Sequence, residues 1–479
     1  MSDFEAAEAA VQAALDAGAS YADARLMHRR TEQMGARDGD VEDVSQRSDA
    51  GLGVRALVGS GWGFFAVPDV EFGAARRAGH RAAEIAEASA LVSRDGAGMI
   101  PSEPVVGSWA NECEVDPLTV PLSVKGDLLT EATRLMREHG ADVATATYDV
   151  WDTRKWFVSS EGARIDQHVR ECGAGIQATA IGEHETQRRS YPASRGQFAT
   201  RGWEFVEALD LLGNAPRVGA EARELLTAPE CPSGRTDLVL GSEQLALQIH
   251  ESVGHAIELD RILGWEAAYA GTSWLDLSRL GSLQYGSELM NITIDPTIPG
   301  ALGSFGYDDE GTPAVARDAV REGVWVGVLA GRDSAAAAGL DYAGSVRADG
   351  WSRLPMVRMT NVGLEPGPHS FEEIIASTDD GIYMESNRSW SIDDKRLNFQ
   401  FGTEVGYEIK GGRLGRLLRN PTYTGIGPQF WASLDMLSHE SVAWGTPNCG
   451  KGQPGQTGHT GHPAAPARFR DVRVGVRAR

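Results

Sequence analysis

Cysteine is scarce in this 479-residue chain, and the four present, Cys113, Cys172, Cys231 and Cys449, are widely scattered. That spacing excludes a disulfide framework and fits a reducing cytoplasm. No uninterrupted apolar run reaches the roughly eighteen residues that a membrane-spanning helix needs. Basic charge is short as well: 45 Lys and Arg stand against 67 Asp and Glu, a net charge of -22. Such a chain repels polyanions, so nucleic acid and anionic membranes are excluded as partners. A basic-then-apolar leader is missing too; MSDFEAAEAAVQAALDAGAS reads as a soluble amphipathic helix with Ser2 and Glu5 as a capping box and Gly18 as the stop. No repeat of fixed period is present.

What is there is enough chain for two cores. The first half alternates helices with strands. Segments around 72–91, 127–140 and 203–227 are helical, whereas 51–67 and 143–182 alternate as strands, the latter turning near Glu161-Gly162. Residues 92–123, with four prolines, read as an irregular connection. TAPECPSGRT (227–236) clusters Pro, Gly and Ser and marks a boundary. Beyond it, 290–295, 314–330, 355–361 and 398–418 read as short antiparallel strands, and 448–469 as a Gly- and Pro-rich loop before a strand at 470–476. The expected fold class is α+β: an N-terminal α/β domain (1–228) with an antiparallel sheet and helices, and a β-rich C-terminal domain (229–479) carrying a kinked metal-binding helix.

That helix is GSEQLALQIHESVGHAIELD (241–260), entered through Ser242 as N-cap, with Leu245, Ile249, Val253 and Ile257 as its apolar stripe. His250 and His255 resemble the zinc-peptidase pair of H-E-x-x-H, but stand five apart rather than four. In a regular α-helix residues five apart diverge by about 140°, so both imidazoles reach one ion only if the helix is distorted. An i→i+5 bulge restores a common face, and Gly254 offers the backbone tolerance it requires. Neutral imidazoles suit Zn²⁺, which as a catalytic ion takes three protein ligands and a water whose pKa falls to about 7. Glu251 is then placed to act as general base. For the third ligand Glu258, Asp260 and Glu266 are local candidates, and Cys449 is a distant one. His459 and His462 form with Cys449 a possible separate site or are solvated loop residues.

HESVGHAIELD (250–260), GYDDEGTP (306–313), LPMVRMTN (354–361), EEIIAS (372–377) and NCGKGQPG (448–455) together resemble the TldD/PmbA family of metallopeptidases. GASYADAR (18–25), GLGVRALVGSGWGFFA (51–66) and the SSEG turn (159–162) extend the resemblance over nearly the whole chain. It implies zinc on His250, His255 and Cys449, with Glu251 as the catalytic carboxylate of the metal-bearing subunit type. It also implies cleavage of unfolded or flexible peptides within an enclosed chamber. A dimer is implied as well, formed with a motif-lacking TldE/PmbA-type subunit or with a second copy of this chain. Tyr307, Asp309 and Arg358 are candidate substrate-site residues, with an ion pair to the GYDDEG acids as the plainer role for Arg358. Tyr307, His369 and His439 are candidates for stabilising an oxyanion. The competing reading is a non-catalytic, zinc-containing regulatory protein of the same fold.

Overall fold

The computed structural model of the protein describes residues 3–68, 70–93, 98–269 and 271–475. Its first half is organised by two long antiparallel hairpins. Tyr21–Arg37 pairs with Asp40–Val58 across Asp38-Gly39, both with positive φ (51° and 98°). A two-residue turn with this handedness matches the twist of the strands it joins. Val143–Ser159 pairs with Arg164–Ile181, and the hairpins meet where Tyr21–Arg37 lies against Val143–Ser159. Gly61–Val67 closes one edge of this eight-stranded sheet. The other carries Val106–Ala110, a strand inside the supposedly irregular 92–123 segment, which runs parallel to Arg164–Ile181. Alternate exposure along this short, proline-flanked strand hides its signal. Ser2, half of the expected capping box, lies outside the described residues.

Helices Asp3–Asp16 and Phe72–Ala90 pack on the sheet through a core rich in alanine. The small side chains let backbones approach closely; a Cβ at Gly79 would collide with the Ala10 carbonyl. Leu122–Glu138 and Leu211–Leu225 cover a second patch around Met34, Tyr148 and Ile176. Charged residues of the sheet face the C-terminal half instead. Arg55, buried, holds Asp23 at 2.7 Å and Glu310 at 2.9 Å. This ionic seam fixes the position of one half against the other.

In the C-terminal half, strands Asp380–Ile392, Gly234–Leu240, Ala467–Val474, Thr422–Ile426 and Asn398–Lys410 pair in that order, and the first also pairs with the last. Five strands therefore form a closed ring, which leaves few free edges. The fold is α+β, as the sequence patterning indicates. Several short strands are shorter than their apolar runs: 290–295 contributes Ile292–Ile294 and 355–361 only Met356–Val357. Residues 448–469 depart most from expectation. Residues 467–469 begin the ring strand Ala467–Val474, and 448–464 belong to a hairpin, Val442–Lys451 with Gln456–Ala464. Its glycines allow close packing rather than looseness: Gly445 abuts the Phe198 carbonyl and Gly461 the Asn361 side chain. No described helix is long and apolar enough to cross a membrane.

Candidate metal centre

The motif helix begins differently from its sequence signature. Gly241 is the extended N-cap, and Ser242 is already helical, its Oγ accepting from Trp444 Nε1 at 3.0 Å. The serine hydroxyl is spent on docking the cysteine-bearing strand, so it caps nothing. Leu245, Ile249 and Val253 enter the core with Leu238, Phe401 and Trp431. From His250 to Gly254 the coil widens into a single π turn, and the His255 N–H donates to the His250 carbonyl at 3.1 Å. The wider turn brings the two imidazoles together, with ring centroids 4.8 Å apart. Gly254 has no left-handed angle. Its missing Cβ makes room for the Met359 thioether, which fills that space. Gly254→Ala should overpack this contact and cost about 1–3 kcal/mol. A denaturant midpoint unchanged from wild type would remove the steric reason for the glycine.

Cys449 arrives from the strand Val442–Lys451, just after a register shift between Thr446 and Cys449. Such a bulge re-aims the following side chain. The ligand atoms of His250, His255 and Cys449 all lie within 4.8 Å of one another, and all three residues are buried. The surrounding hydrogen bonds assign the tautomers. His255 Nδ1 lies 3.0 Å from Glu258 Oε2, so it carries the proton, and Nε2 faces Cys449 Sγ at 3.7 Å. His462 Nδ1 lies 2.9 Å from the Val362 carbonyl and must donate to it. His462 Nε2 is then an acceptor, shared by the Thr460 hydroxyl at 3.0 Å and by His250 Nδ1–H at 2.8 Å. His250 Nε2 remains unprotonated. Two imidazole lone pairs and one sulfur thus converge, each imidazole backed by a hydrogen-bond acceptor, the usual support of a ligating histidine.

The electrostatics favour the same protonation states. Burial pushes the pKa values of His250 and His255 below the ordinary histidine value, and that of His462 well below it. Burial raises the Cys449 thiol, the Arg358 guanidinium works against it, and the net shift is downward. Burial also works against ionised Glu258; the Lys451 ammonium, His255 and Arg261 reverse this and hold its carboxyl well below the usual range. Glu258 Oε2 is 2.7 Å from Arg261 Nε and 3.3 Å from Lys451 Nζ. Glu258 therefore orients His255, while Asp260 is held by Lys451 at 2.7 Å. Among the described residues neither these two nor Glu266 joins the three-ligand cluster.

The cluster opens into a cleft of about 320 Å³ lined by Glu251, Arg396, Trp390 and Trp444 as well as by the three ligand candidates. Glu251 Oε2 is 2.7 Å from Arg396 Nη1. Arg396 adopts a left-handed φ of 62° in the connection between Asp380–Ile392 and Asn398–Lys410. A larger cavity of about 540 Å³ adjoins the cleft and shares Ser194, Arg195, Gly196, Pro447 and Asn448 with it.

Other sequence candidates lie elsewhere. Tyr307, Asp309 and Arg358 line a separate cavity that shares no residue with the cleft. Asp309 is tied to Lys155 and to Arg25 at 3.5 Å. Arg358 forms no ion pair with the GYDDEG acids and donates instead to the Cys449 carbonyl. His369 and His439 do not line the cleft. His459 pairs with Glu171 at 3.0 Å, while buried His462 backs His250, so the two histidines form neither a separate site with Cys449 nor a solvated pair. Sequence reasoning missed Arg396, which nothing in its neighbourhood distinguishes. Lys451 was accessible, because it lies two residues after Cys449 on a strand.

Three family models match the chain: PmbA/TldA metallopeptidase domain 1 over residues 22–86, the central domain over 115–228 and the C-terminal domain over 233–475. A metalloprotease of Methanocaldococcus jannaschii is 28% identical over 85% of this chain and 86% of its own length. A metalloprotease TldD homolog of Haemophilus influenzae is 26% identical over 90% and 88%. A zinc metalloprotease TldD homolog of Saccharolobus solfataricus is 24% identical over 43% and 45%. Among solved structures, a Thermotoga maritima protein described as a proposed modulator of a DNA gyrase superposes with a TM-score of 0.79 at 16% identity, covering 99% of this chain and 100% of that one. TldE from Thermococcus kodakarensis gives 0.72 at 17%, covering 98% and 100%.

Proposed function

Because this chain belongs to the PmbA/TldA metallopeptidase family, we propose that it hydrolyses peptide bonds of unfolded or flexible peptides, with Glu251 as general base beside a Zn²⁺ held by His250, His255 and Cys449. The observation that carries this reading is the convergence of two buried imidazoles and a buried sulfur within 4.8 Å of one another, next to a carboxylate in one cleft. Two imidazole nitrogens and a thiolate are a donor set that zinc accepts, leaving room for a fourth ligand. When bound, the ion supplies Lewis acidity and a lowered water pKa.

The chain's own residues do the rest. Glu251 accepts the proton of the attacking water and returns it to the departing amine nitrogen. Arg396 holds the Glu251 side chain in place through both transfers. Trp390 and Trp444 wall the cleft. An extended substrate pairs with the backbone at Thr446–Asn448, where the hairpin ladder is interrupted. Reading by backbone explains tolerance of varied side chains. A non-catalytic zinc protein would have no use for a carboxylate at this place.

The chain divides into domains 1–228 and 229–479, the first of which contains two regions matched by family models. The functional unit is a dimer, with a TldE/PmbA-type subunit or with a second copy of this chain. Four unpaired cysteines support a reducing, cytoplasmic setting. Removing the metal with a zinc chelator should abolish peptidase activity on an unfolded substrate, and adding one equivalent of Zn²⁺ should restore it. Undiminished hydrolysis by metal-free protein would end the proposal.

A further inference from the structure

Among the described residues of this acidic chain seven arginines are buried: Arg25, Arg55, Arg189, Arg261, Arg332, Arg358 and Arg468. Six have a carboxylate at 2.7–3.5 Å. Among the described residues Arg358 has none within 4.0 Å. Its Nη1 donates to the Gln456 carbonyl at 3.2 Å and Nη2 to that of Cys449, while Nε is buried without a partner. Arg347, partly buried, also has no carboxylate within 4.0 Å; its Nη2 donates to the Met359 carbonyl, its guanidinium lies 5.8 Å from the Phe305 ring centroid, and its Nε is buried and unpartnered. Burial and the field of Arg358 push the Arg347 pKa down to about 10. Buried charge without a counter-charge is costly, and two such groups together are more so.

Arg347 and Arg358 both line the cavity of about 100 Å³ between the first sheet and the hairpin that carries Cys449. The acids at its wall are already committed: Asp309 to Lys155 and Arg25, Glu171 to His459, and Asp349 to Arg29 at 3.6 Å. The Cys449 thiolate is a single charge, spent on the metal in the proposed centre. The space equals that of about three waters, enough for one small ion.

We propose that Arg347 and Arg358 form a binding site for a small oxyanion, a carboxylate or a phosphate. Guanidinium forks match the geometry of both. The anion supplies the negative charge that no carboxylate within 4.0 Å gives this pair. Its source is either the terminal carboxylate of a peptide or a free phosphate. The inference does not depend on the peptidase reading.

The test titrates inorganic phosphate calorimetrically into the metal-loaded protein at low ionic strength. One saturable site per chain is expected, weakened at least tenfold in Arg347→Met at equal metal content and unchanged circular dichroism. Arg347→Lys, which keeps the charge and loses the fork, serves if the methionine variant does not fold and should weaken binding as well. An N-acetylated dipeptide acid that displaces phosphate, while its amide does not, identifies a peptide terminus as the source; failure of both to displace it identifies free phosphate. Absence of saturable binding of both phosphate and the dipeptide acid overturns the proposal. So does binding undiminished in the Arg347 variant, which is the behaviour of an anion sitting on the metal.

Discussion

Glu251→Gln is expected to lower kcat/KM for peptide hydrolysis by about 10²–10⁴-fold, the range a positioned general base supplies, with metal content at the wild-type level. The reasoning is local. Glu251 is not in the three-ligand cluster, so the amide leaves the imidazoles and the sulfur where they are. It keeps the shape and a carbonyl oxygen that still accepts from Arg396, now 2.7 Å from the carboxylate. What is lost is the ability to take and return a proton. Arg396→Met is the companion: the carboxylate survives but its orientation is freed, and a loss of about 10–100-fold, the size typical of outer-shell changes, should follow. Wild-type activity in Glu251→Gln would take the proton-transfer role away from this residue.

The second large effect is on the metal itself. Cys449→Ser should weaken zinc binding by at least about 100-fold, the upper end of what outer-shell substitutions cost. Serine nearly preserves volume in this buried position, so the hairpin should fold unchanged and the loss should report ligand chemistry. Competition against a chromophoric chelator measures it. Unchanged affinity would transfer the third-ligand role to Glu258, whose carboxylate already touches His255. Glu258→Gln separates the cases: as an orienting residue its change weakens binding less than that of Cys449.

The sequence carried the helix distortion because spacing is a hard constraint. Two histidines five apart meet only on a widened turn, and the i→i+5 bond from His255 to His250 is that turn. The long hairpins are legible in part: 143–182 through alternation and the Glu161-Gly162 turn, whereas 21–58 shows only its Asp38-Gly39 turn, because residues 40–49 are almost all exposed and do not alternate. Glycine misled twice. At 448–469 it suggests a loose loop, but in a strand it also admits a neighbour, as Gly458 admits the Arg358 guanidinium. At Gly254 it suggests unusual backbone angles, and what it provides is space for Met359. Arg396 and the part His462 plays behind His250 stay hidden because each meets the motif only through tertiary contacts, 145 and 212 residues away along the chain. No local pattern encodes such distances. Ser242 shows the reverse limit: a residue with a strong local preference for capping is diverted by a tertiary partner, Trp444.

The central claim is that sulfur from one strand and two nitrogens from one π turn hold the same ion. X-ray absorption at the zinc edge of the purified, metal-loaded protein tests it most directly. The account predicts one sulfur scatterer at about 2.3 Å and two imidazole nitrogens at about 2.0–2.1 Å, with a light atom completing the shell. A first shell of nitrogen and oxygen alone, with no sulfur, would contradict it.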